Sequence, residues 1–212
     1  MKSKLTIACV LKSGGDFNRD YVYKLRNACT KYIRAKFDFI CLTDLHFAAF
    51  DLDTILLKHD LPGWWSKLEL FQLRKEVLYF DLDTIIKKDI TNKVYAMRYK
   101  GIKFAMLKDL GKTGNFESGV MYWNGDFSEI LTMGKMERKN DFKNYPGDGE
   151  LIRDIAFILT DGKISPIQKH FNVASFKWGE DEELEKADII CFHGKPKPHK
   201  LKFKNEFVKR YW

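Results

Sequence analysis

The feature that most constrains the fold is a regular alternation of short apolar runs and amphipathic helical patterns. The runs Leu5–Leu11, Phe37–Thr43 and 77–80 have the length and composition of buried strands. Between the first two, residues 19–33 carry apolar side chains at helical spacing. Strands joined by helical crossovers form parallel sheets. The sequence therefore predicts one α/β domain over residues 1–212, with a mainly parallel central sheet flanked by helices.

The alternation continues towards the end of the chain. Ser66 and Glu69 have capping-box spacing, which predicts a helix from Ser66 to about Leu73. Asp126 is placed to cap a helix over 127–136. The remaining predicted elements are strands at 104–107, 120–123 and 189–192 and a helix at Asp148–Leu159. Ligands of such folds bind beyond the carboxyl ends of the strands, where several polar residues of this chain lie.

Two of those residues, Asp81 and Asp83, directly follow the strand at 77–80. Side chains alternate across a strand, so residues spaced i, i+2 point to the same side. Two neighbouring carboxylates repel each other unless a cation, a shared proton or water compensates them. Mg²⁺ and Mn²⁺ prefer carboxylate oxygens and leave positions for substrate phosphates. The pair therefore predicts metal-assisted phosphate chemistry.

A near copy of this stretch lies thirty residues earlier, where Asp51 and Asp53 precede Thr54. Its flanks do not match those of the later stretch, so we expect no structural repeat. No strong apolar strand precedes it either. We interpret Asp51 and Asp53 as loop residues outside the metal site.

Composition excludes several classes of protein. The net charge of +8 is spread along the chain, with a local excess at 195–204, and no nucleic-acid-binding signature accompanies it. No apolar run approaches the ~20 residues that a transmembrane helix needs. The first residues are interpreted as a strand and its turn, not a signal peptide. The four cysteines form no CxxC pair and lie in apolar segments, which predicts buried free thiols and a reducing compartment.

Several segments together resemble a known family. They are Ile7-Ala-Cys-Val-Leu11, Phe39-Ile-Cys-Leu-Thr-Asp44, Trp64-Trp-Ser-Lys-Leu-Glu-Leu-Phe71, Leu78-Tyr-Phe-Asp-Leu-Asp-Thr84, Glu117-Ser-Gly-Val-Met-Tyr-Trp-Asn124, Gly147-Asp-Gly-Glu150 and Phe192-His-Gly-Lys-Pro-Lys-Pro-His199. Their order is similar to that of GT-A-fold glycosyltransferases with a DxD motif, of the retaining glycogenin and galactosyltransferase type (family 8-like). The basic, compact form is also similar to bacterial and large-DNA-virus glycosyltransferase domains. Because the chain is short for such an enzyme, it remains open whether it is the N-terminal part of a longer protein.

The resemblance implies a Rossmann-like domain that binds Mn²⁺ or Mg²⁺ through Asp81, Asp83 and His193. The metal would stabilise the charge that develops on a departing diphosphate. In this family a lysine usually follows the histidine by six residues, but that position is His199 here. Which lysine replaces it is left open between Lys195 and Lys197.

The resemblance also implies the substrate-binding residues. These are Val10, Leu11, Ser13 and Asp44 for base and ribose, Asp81 shared between metal and ribose, Lys67, Ser118 and Gly119 for the donor, and Gly194, Lys195 and Lys197 for the diphosphate. Glu117 stands where the family usually has asparagine. Asp148 matches the aspartate that contacts the donor sugar near the reacting carbon, and Glu150 is the second catalytic candidate.

The implied function is metal-dependent transfer of a sugar from a UDP-sugar, such as UDP-glucose, to a glycan, a glycoprotein or another hydroxyl acceptor, with retention. We expect a cytoplasmic enzyme, or one in the host cytoplasm if a virus encodes it. Two alternatives stay open: a haloacid-dehalogenase-type phosphatase using Asp81 and Asp83, and a noncatalytic module that binds glycans or nucleic acid.

Overall fold

The computed structural model describes residues 4–46, 51–111 and 115–212, and every statement below concerns those residues. In chain order the elements are β1 Leu5–Leu11, α1 Arg19–Tyr32, β2 Phe37–Thr43, β3 Asp53–Leu56, a 3₁₀ helix Gly63–Gln72, β4 Glu76–Phe80, β5 Ile85–Ile86, α2 Thr91–Tyr99, β6 Phe104–Lys108, β7 Phe116–Asn124, α3 Glu129–Arg138, α4 Asp148–Leu159, β8 Ile164–Pro166, a 3₁₀ turn Ile167–Lys169, β9 Val173–Ser175, α5 Asp181–Lys186, β10 Ile189–Cys191, α6 Pro198–Leu201 and α7 Glu206–Tyr211.

Seven strands form the central sheet, in the order β3-β2-β1-β4-β7-β6-β8. All neighbouring pairs are parallel except the two that involve β7, which runs antiparallel to β4 and β6. This confirms the predicted α/β class with a mainly parallel sheet. Because β7 is reversed, its first residues lie at the same end of the sheet as the last residues of β1, β2 and β4.

A second sheet of three strands, in the order β5-β10-β9, lies beside this edge. Strand β5 begins two residues after Asp83, and β10 pairs with it in antiparallel register, Ile190 opposite Ile85. The residues that follow β10, after Cys191, therefore lie next to the residues that precede β5, including Asp83. In this way two segments more than 100 residues apart in sequence reach one place.

The core is divided between the two faces of the central sheet. Alternate residues of β1, among them Ile7 and Cys9, pack in one cluster with Val22 and Leu25 of α1. Ala8 points the other way, into a cluster that includes Leu68 of the 3₁₀ helix Gly63–Gln72. Sheet strands covered on both faces have nearly continuous apolar sequences, which is why β1 and β2 could be recognised.

Two predicted helix starts are wrong in detail. The helix predicted from Ser66 is a 3₁₀ helix that begins at Gly63, and the Ser66 hydroxyl donates to the Gly63 carbonyl within it. Glu69 does not complete a capping box, because its carboxylate accepts from the backbone N–H groups of Lys58 and His59. Asp126 is not the N-cap of α3 either. The N-cap residue is Ser128, and Asp126 forms a local turn by accepting from the Ser128 N–H.

The early Asp-Leu-Asp stretch is also only partly as expected. Asp53 begins β3, an edge strand parallel to β2, so it is not a loop residue. Asp51 lies outside the strands and does not line the cavity described below. Phe50, the first residue of this near copy, falls outside the described residues.

The predicted burial of the free thiols is confirmed, since Cys9, Cys29, Cys41 and Cys191 are all buried and form no disulfide. Among the described residues, no helix combines the length and apolar character that crossing a bilayer requires.

Candidate active site

A polar cavity of about 290 Å³ opens where the carboxyl end of β4, the amino end of β7, the start of α4 and the end of β10 meet. Its walls are formed by Trp64, Lys67, Asp81, Asp83, Thr84, Phe116, Glu117, Ser118, Gly119, Gly147, Asp148, Gly149, Glu150, Cys191, Phe192 and His193. The cavity thus gathers residues predicted from five separate sequence segments.

Lys67 is the centre of the buried side of this cavity. Its ammonium lies 3.0 Å from Asp81 and 3.2 Å from Asp148, and it donates a hydrogen bond to the Ser118 hydroxyl over 2.7 Å. Ser118 in turn donates to Asp148 over 2.6 Å. Burial alone would lower the pKa of Lys67, but Asp148 and Asp81 outweigh burial and raise it. Lys67 therefore remains charged and compensates two carboxylates.

Close backbone contact between α4 and β7 brings Asp148 to Lys67. A Cβ atom on Gly149 would lie 3.0 Å from the Phe116 carbonyl oxygen, so glycine lets the first turn of α4 approach this strand. On the other side of β7, the Asp81 N–H donates to the Gly119 carbonyl over 2.8 Å. Strand β7 therefore holds the aspartates of β4 and α4 on either side of Ser118.

Asp83 is paired with a different lysine. Its carboxylate lies 2.5 Å from the Lys197 ammonium, and the two side chains are 7% and 16% exposed. Burial and the neighbouring Asp81 raise the pKa of Asp83 to about 6, although Lys197 opposes the rise. Of the two lysines that the sequence left open, Lys197 reaches the aspartate pair, whereas Lys195 is exposed and does not line the cavity.

His193 lies at the opposite wall, next to Glu117. Its ring stacks on Trp178 with a centroid distance of 5.4 Å, and its Nδ1 atom is 3.4 Å from the Glu117 carboxylate. Burial lowers the pKa of His193, which favours a neutral imidazole at neutral pH. The Nε2 atom is buried and has no hydrogen-bond partner among the described residues. It is thus an available nitrogen ligand in a cavity that also contains Asp81 and Asp83.

Among the acids of the cavity, Asp81, Asp83 and Asp148 each have a lysine at ion-pair distance, whereas Glu117 and Glu150 have none in the described structure. Burial, followed by the carboxylate of Asp109, raises the pKa of Glu117 to about 7. Near neutral pH a large fraction of this side chain is therefore protonated.

The residues predicted for base and ribose form a separate cluster that does not line the cavity. Asp44, after β2, accepts from the Ser13 N–H over 2.8 Å and from the Ser13 hydroxyl over 2.7 Å. Burial would raise the pKa of Asp44, but Ser13 and Lys12 outweigh burial and lower it. Val10 is partly buried, while Leu11 is 1% exposed and belongs to the core.

The other predicted residues surround the cavity. Gly119 and Glu150 line it directly. Gly194 is exposed with φ +63°, a conformation that glycine adopts without strain, and it turns the chain from His193 towards Lys197.

Among the residues of the site that sequence reasoning missed are Tyr79 and Cys191. The Tyr79 hydroxyl donates to Asp81, and Cys191 lines the cavity beside Thr84. In both cases strand alternation offered a signal, because Tyr79 is two residues before Asp81 and Cys191 is two residues before His193. Burial and the carboxylates of Asp83 and Asp81 raise the pKa of the Cys191 thiol, which favours its neutral form.

No protein-family model and no curated protein matches the sequence. Solved structures match the fold over almost the whole chain. A glycosyltransferase involved in the glycosylation of the major capsid of PBCV-1 is 13% identical with a TM-score of 0.62, and the match covers 98% of both chains. Galactosyltransferase LgtC, solved with donor and acceptor sugar analogs, is 12% identical with a TM-score of 0.59 over 97% of this chain and 96% of LgtC.

The glycosyltransferase GlyE of Streptococcus pneumoniae TIGR4 is 13% identical with a TM-score of 0.59 over 93% of this chain. The chain spans 56% of the length of GlyE. The chain therefore has the α/β fold of these glycosyltransferases, which confirms the fold class that the order of its motifs implied.

Proposed function

We propose that the chain is a glycosyltransferase that moves a sugar from a nucleotide-sugar, specifically a UDP-sugar, to a hydroxyl group of a glycan acceptor. The observation that carries the proposal is the composition of the cavity. It combines the network of Lys67, Asp81, Ser118 and Asp148 with the available Nε2 atom of His193 and with Asp83, whose counter-ion is Lys197. The similarity of fold to solved glycosyltransferases supports the same function.

The donor set of the cavity fits a divalent metal ion. Among the described residues, no three His, Cys, Asp or Glu side chains already converge on one point. However, two carboxylates and a neutral imidazole nitrogen line one cavity, and these are ligands that Mn²⁺ accepts. We therefore propose Asp81, Asp83 and His193 as the ligands of Mn²⁺ or Mg²⁺, which would stabilise the charge of the departing diphosphate.

Within the proposed mechanism, Lys67 and Ser118 orient Asp148. Both of their contacts are to Oδ2 of this carboxylate, and we assign Oδ1 to a hydroxyl of the donor sugar. An aspartate whose charge is compensated by a buried lysine is a weak nucleophile. This favours a positioning role for Asp148 and front-face transfer with retention. Glu150, on the cavity wall, is the second candidate for contact with the sugars.

Exposed aromatic side chains near the cavity suit a carbohydrate acceptor, because sugar rings stack on aromatic faces. Trp64 is 63% exposed on the cavity wall, one 3₁₀ turn before Lys67. Residues i and i+3 of a 3₁₀ helix lie on the same side, so Trp64 is placed directly above the lysine. Trp65 has a different role, since it stacks on Phe142 in the core.

The phosphatase alternative is not favoured. It requires Asp81 or Asp83 as a free nucleophile, but Asp81 is held by Lys67 and Tyr79 and Asp83 is held by Lys197. The aspartate pair also follows the fourth strand of the chain, whereas the phosphatases place theirs on an early strand.

Calorimetric titration of UDP into the protein, with Mn²⁺ and again with excess EDTA, tests the proposal. We expect binding that requires Mn²⁺. Binding that is equally tight in EDTA would remove Asp81, Asp83 and His193 as metal ligands. Absence of UDP binding in both conditions would overturn the UDP-sugar proposal.

A further inference from the structure

The salt bridge between Lys197 and Asp83 lies where the proposed function needs a metal ion. The ammonium is 2.5 Å from Oδ2 of Asp83, and little of either side chain is exposed. Asp81 has its own counter-ion in Lys67, at 3.0 Å. Each carboxylate of the proposed metal site is therefore paired with a lysine.

The two lysines differ in how firmly they belong to the cavity. Lys67 is fully enclosed and contacts three cavity residues, so it is part of the permanent network. Lys197 lies on an irregular segment between β10 and α6, which Gly194 turns with φ +63°. Lys195 and Pro196, within the same segment, are exposed. The geometry thus allows Lys197 to change partners without disturbing the sheet.

The end of this segment is anchored away from the aspartates. The Tyr21 hydroxyl on α1 lies 2.5 Å from Nδ1 of His199, and Pro198 is buried. The Lys197 ammonium also lies 5.1 Å from the centroid of the Phe17 ring. The His199 contact and the buried Pro198 keep the backbone of Lys197 beside the cavity, so only the side chain has to move when the ammonium changes partner.

An ammonium and a divalent cation cannot share Asp83 without a large repulsion. The ammonium and the metal ion would lie within about 4 Å of each other. Because the site is partly buried, its effective dielectric constant is well below that of water, and the repulsion between the two cations is correspondingly strong. Binding of a metal to Asp83 therefore requires that Lys197 leave it. The nearest new anion in the proposed reaction is the diphosphate of the donor, to which lysine binds as a point charge.

We propose that Lys197 is the counter-ion of Asp83 and must release this carboxylate before a divalent metal ion can bind there, so that its ammonium becomes free for the diphosphate contact that the resemblance implied. This inference rests on the metal site of the proposed function. It predicts that removing the charge of Lys197 has opposite effects on the two ligands. Metal should bind more tightly because it no longer competes with an ammonium, and UDP should bind more weakly because a cation is missing.

The test compares Lys197→Met with the wild-type chain and with Lys200→Met. Lys200 is an exposed residue of α6, three positions after Lys197, and provides the matched control. Binding of Mn²⁺ without nucleotide is measured from the loss of the free-ion electron paramagnetic resonance signal. Binding of UDP is then measured by calorimetry at saturating Mn²⁺. Thermal unfolding verifies that each variant is folded, and Lys197→Gln replaces the methionine variant if that variant is not.

For Lys197→Met we expect roughly tenfold tighter Mn²⁺ binding and roughly tenfold weaker UDP binding, each equivalent to ~1.4 kcal/mol. Lys197→Arg and Lys200→Met should behave like the wild type in both assays. Unchanged or weaker Mn²⁺ binding by Lys197→Met, with Mn²⁺-dependent UDP binding intact in the wild type, would overturn the displacement alone. If the wild type bound neither Mn²⁺ nor UDP, both the displacement and the proposed function would be overturned.

Discussion

Replacing Lys67 by methionine tests how much the buried network of Lys67, Asp81, Ser118 and Asp148 contributes to the stability of the fold. Methionine has nearly the volume and flexibility of lysine, so the change removes the charge without creating a large void around residue 67. It leaves Asp148, whose side chain is 12% exposed, and Asp81, at 34%, without their counter-ion. Breaking a fully buried pair costs ~3–5 kcal/mol. Because solvent reaches part of Asp81, we expect a loss of about 2–4 kcal/mol in the free energy of unfolding.

For a chain of this size, such a loss lowers the melting temperature by roughly 5–15 °C. Urea denaturation followed by tryptophan fluorescence gives the free energy directly. Lys163→Met, in an exposed loop, is the matched control and should change stability by less than ~0.5 kcal/mol. The double variant Lys67→Met with Asp148→Asn should lose at least ~1 kcal/mol less than the two single losses added together, because it removes one of the two carboxylates that Lys67→Met leaves without a counter-ion. A Lys67→Met variant as stable as the control would refute the network.

Three further predictions concern other parts of the cavity. Gly149→Ala would place a Cβ 3.0 Å from the carbonyl oxygen of Phe116, so we expect a loss of ~1 kcal/mol by urea denaturation, whereas Gly15→Ala, in open space, should be neutral. In EDTA the free energy of unfolding of the wild type minus that of Glu117→Gln should fall by about 2.5 kcal/mol as the pH rises from 4.5 to 7, since folded Glu117 keeps its proton to a pKa of about 7 and the unfolded state releases it at ~4.3. The comparison with Glu117→Gln cancels the contribution of Asp83, whose pKa is also raised, and a difference that does not change with pH would contradict the assignment. Trp64→Ala should leave stability and UDP binding unchanged but lower transfer to a carbohydrate acceptor at least tenfold relative to hydrolysis of the donor, and an unchanged ratio would exclude Trp64 from the acceptor site.

The sequence was most informative where burial leaves a continuous apolar signal. Strands β1 and β2 could be delimited to the residue because both faces of the sheet are covered. The pair Asp81 and Asp83 also located the cavity, although Asp83 does not continue the alternation of β4. It lies in the turn after the strand, where the Thr84 N–H donates to the Asp81 carbonyl over 3.0 Å. These are local properties of the chain.

The parts that could not be predicted depend on contacts between distant segments. Nothing near Ser66 indicates that Glu69 will bind the backbone of Lys58 and His59, so the local spacing suggested a capping box that does not form. Likewise, the choice between Lys195 and Lys197 depends on how the chain turns at Gly194 and where Tyr21 holds His199. Edge strand β3 was missed because, exposed at the sheet edge, it lacks a strong apolar pattern.

The most direct test of the central claim is turnover of UDP-sugars by the intact chain, followed by NMR of the anomeric proton. The account predicts Mn²⁺-dependent release of UDP from one or a few UDP-sugars, transfer with retention to a carbohydrate acceptor, and loss of both in Asp83→Asn and Asp148→Asn variants that still fold. No UDP release from any UDP-sugar, together with Asp81-dependent hydrolysis of a simple phosphomonoester, would contradict it.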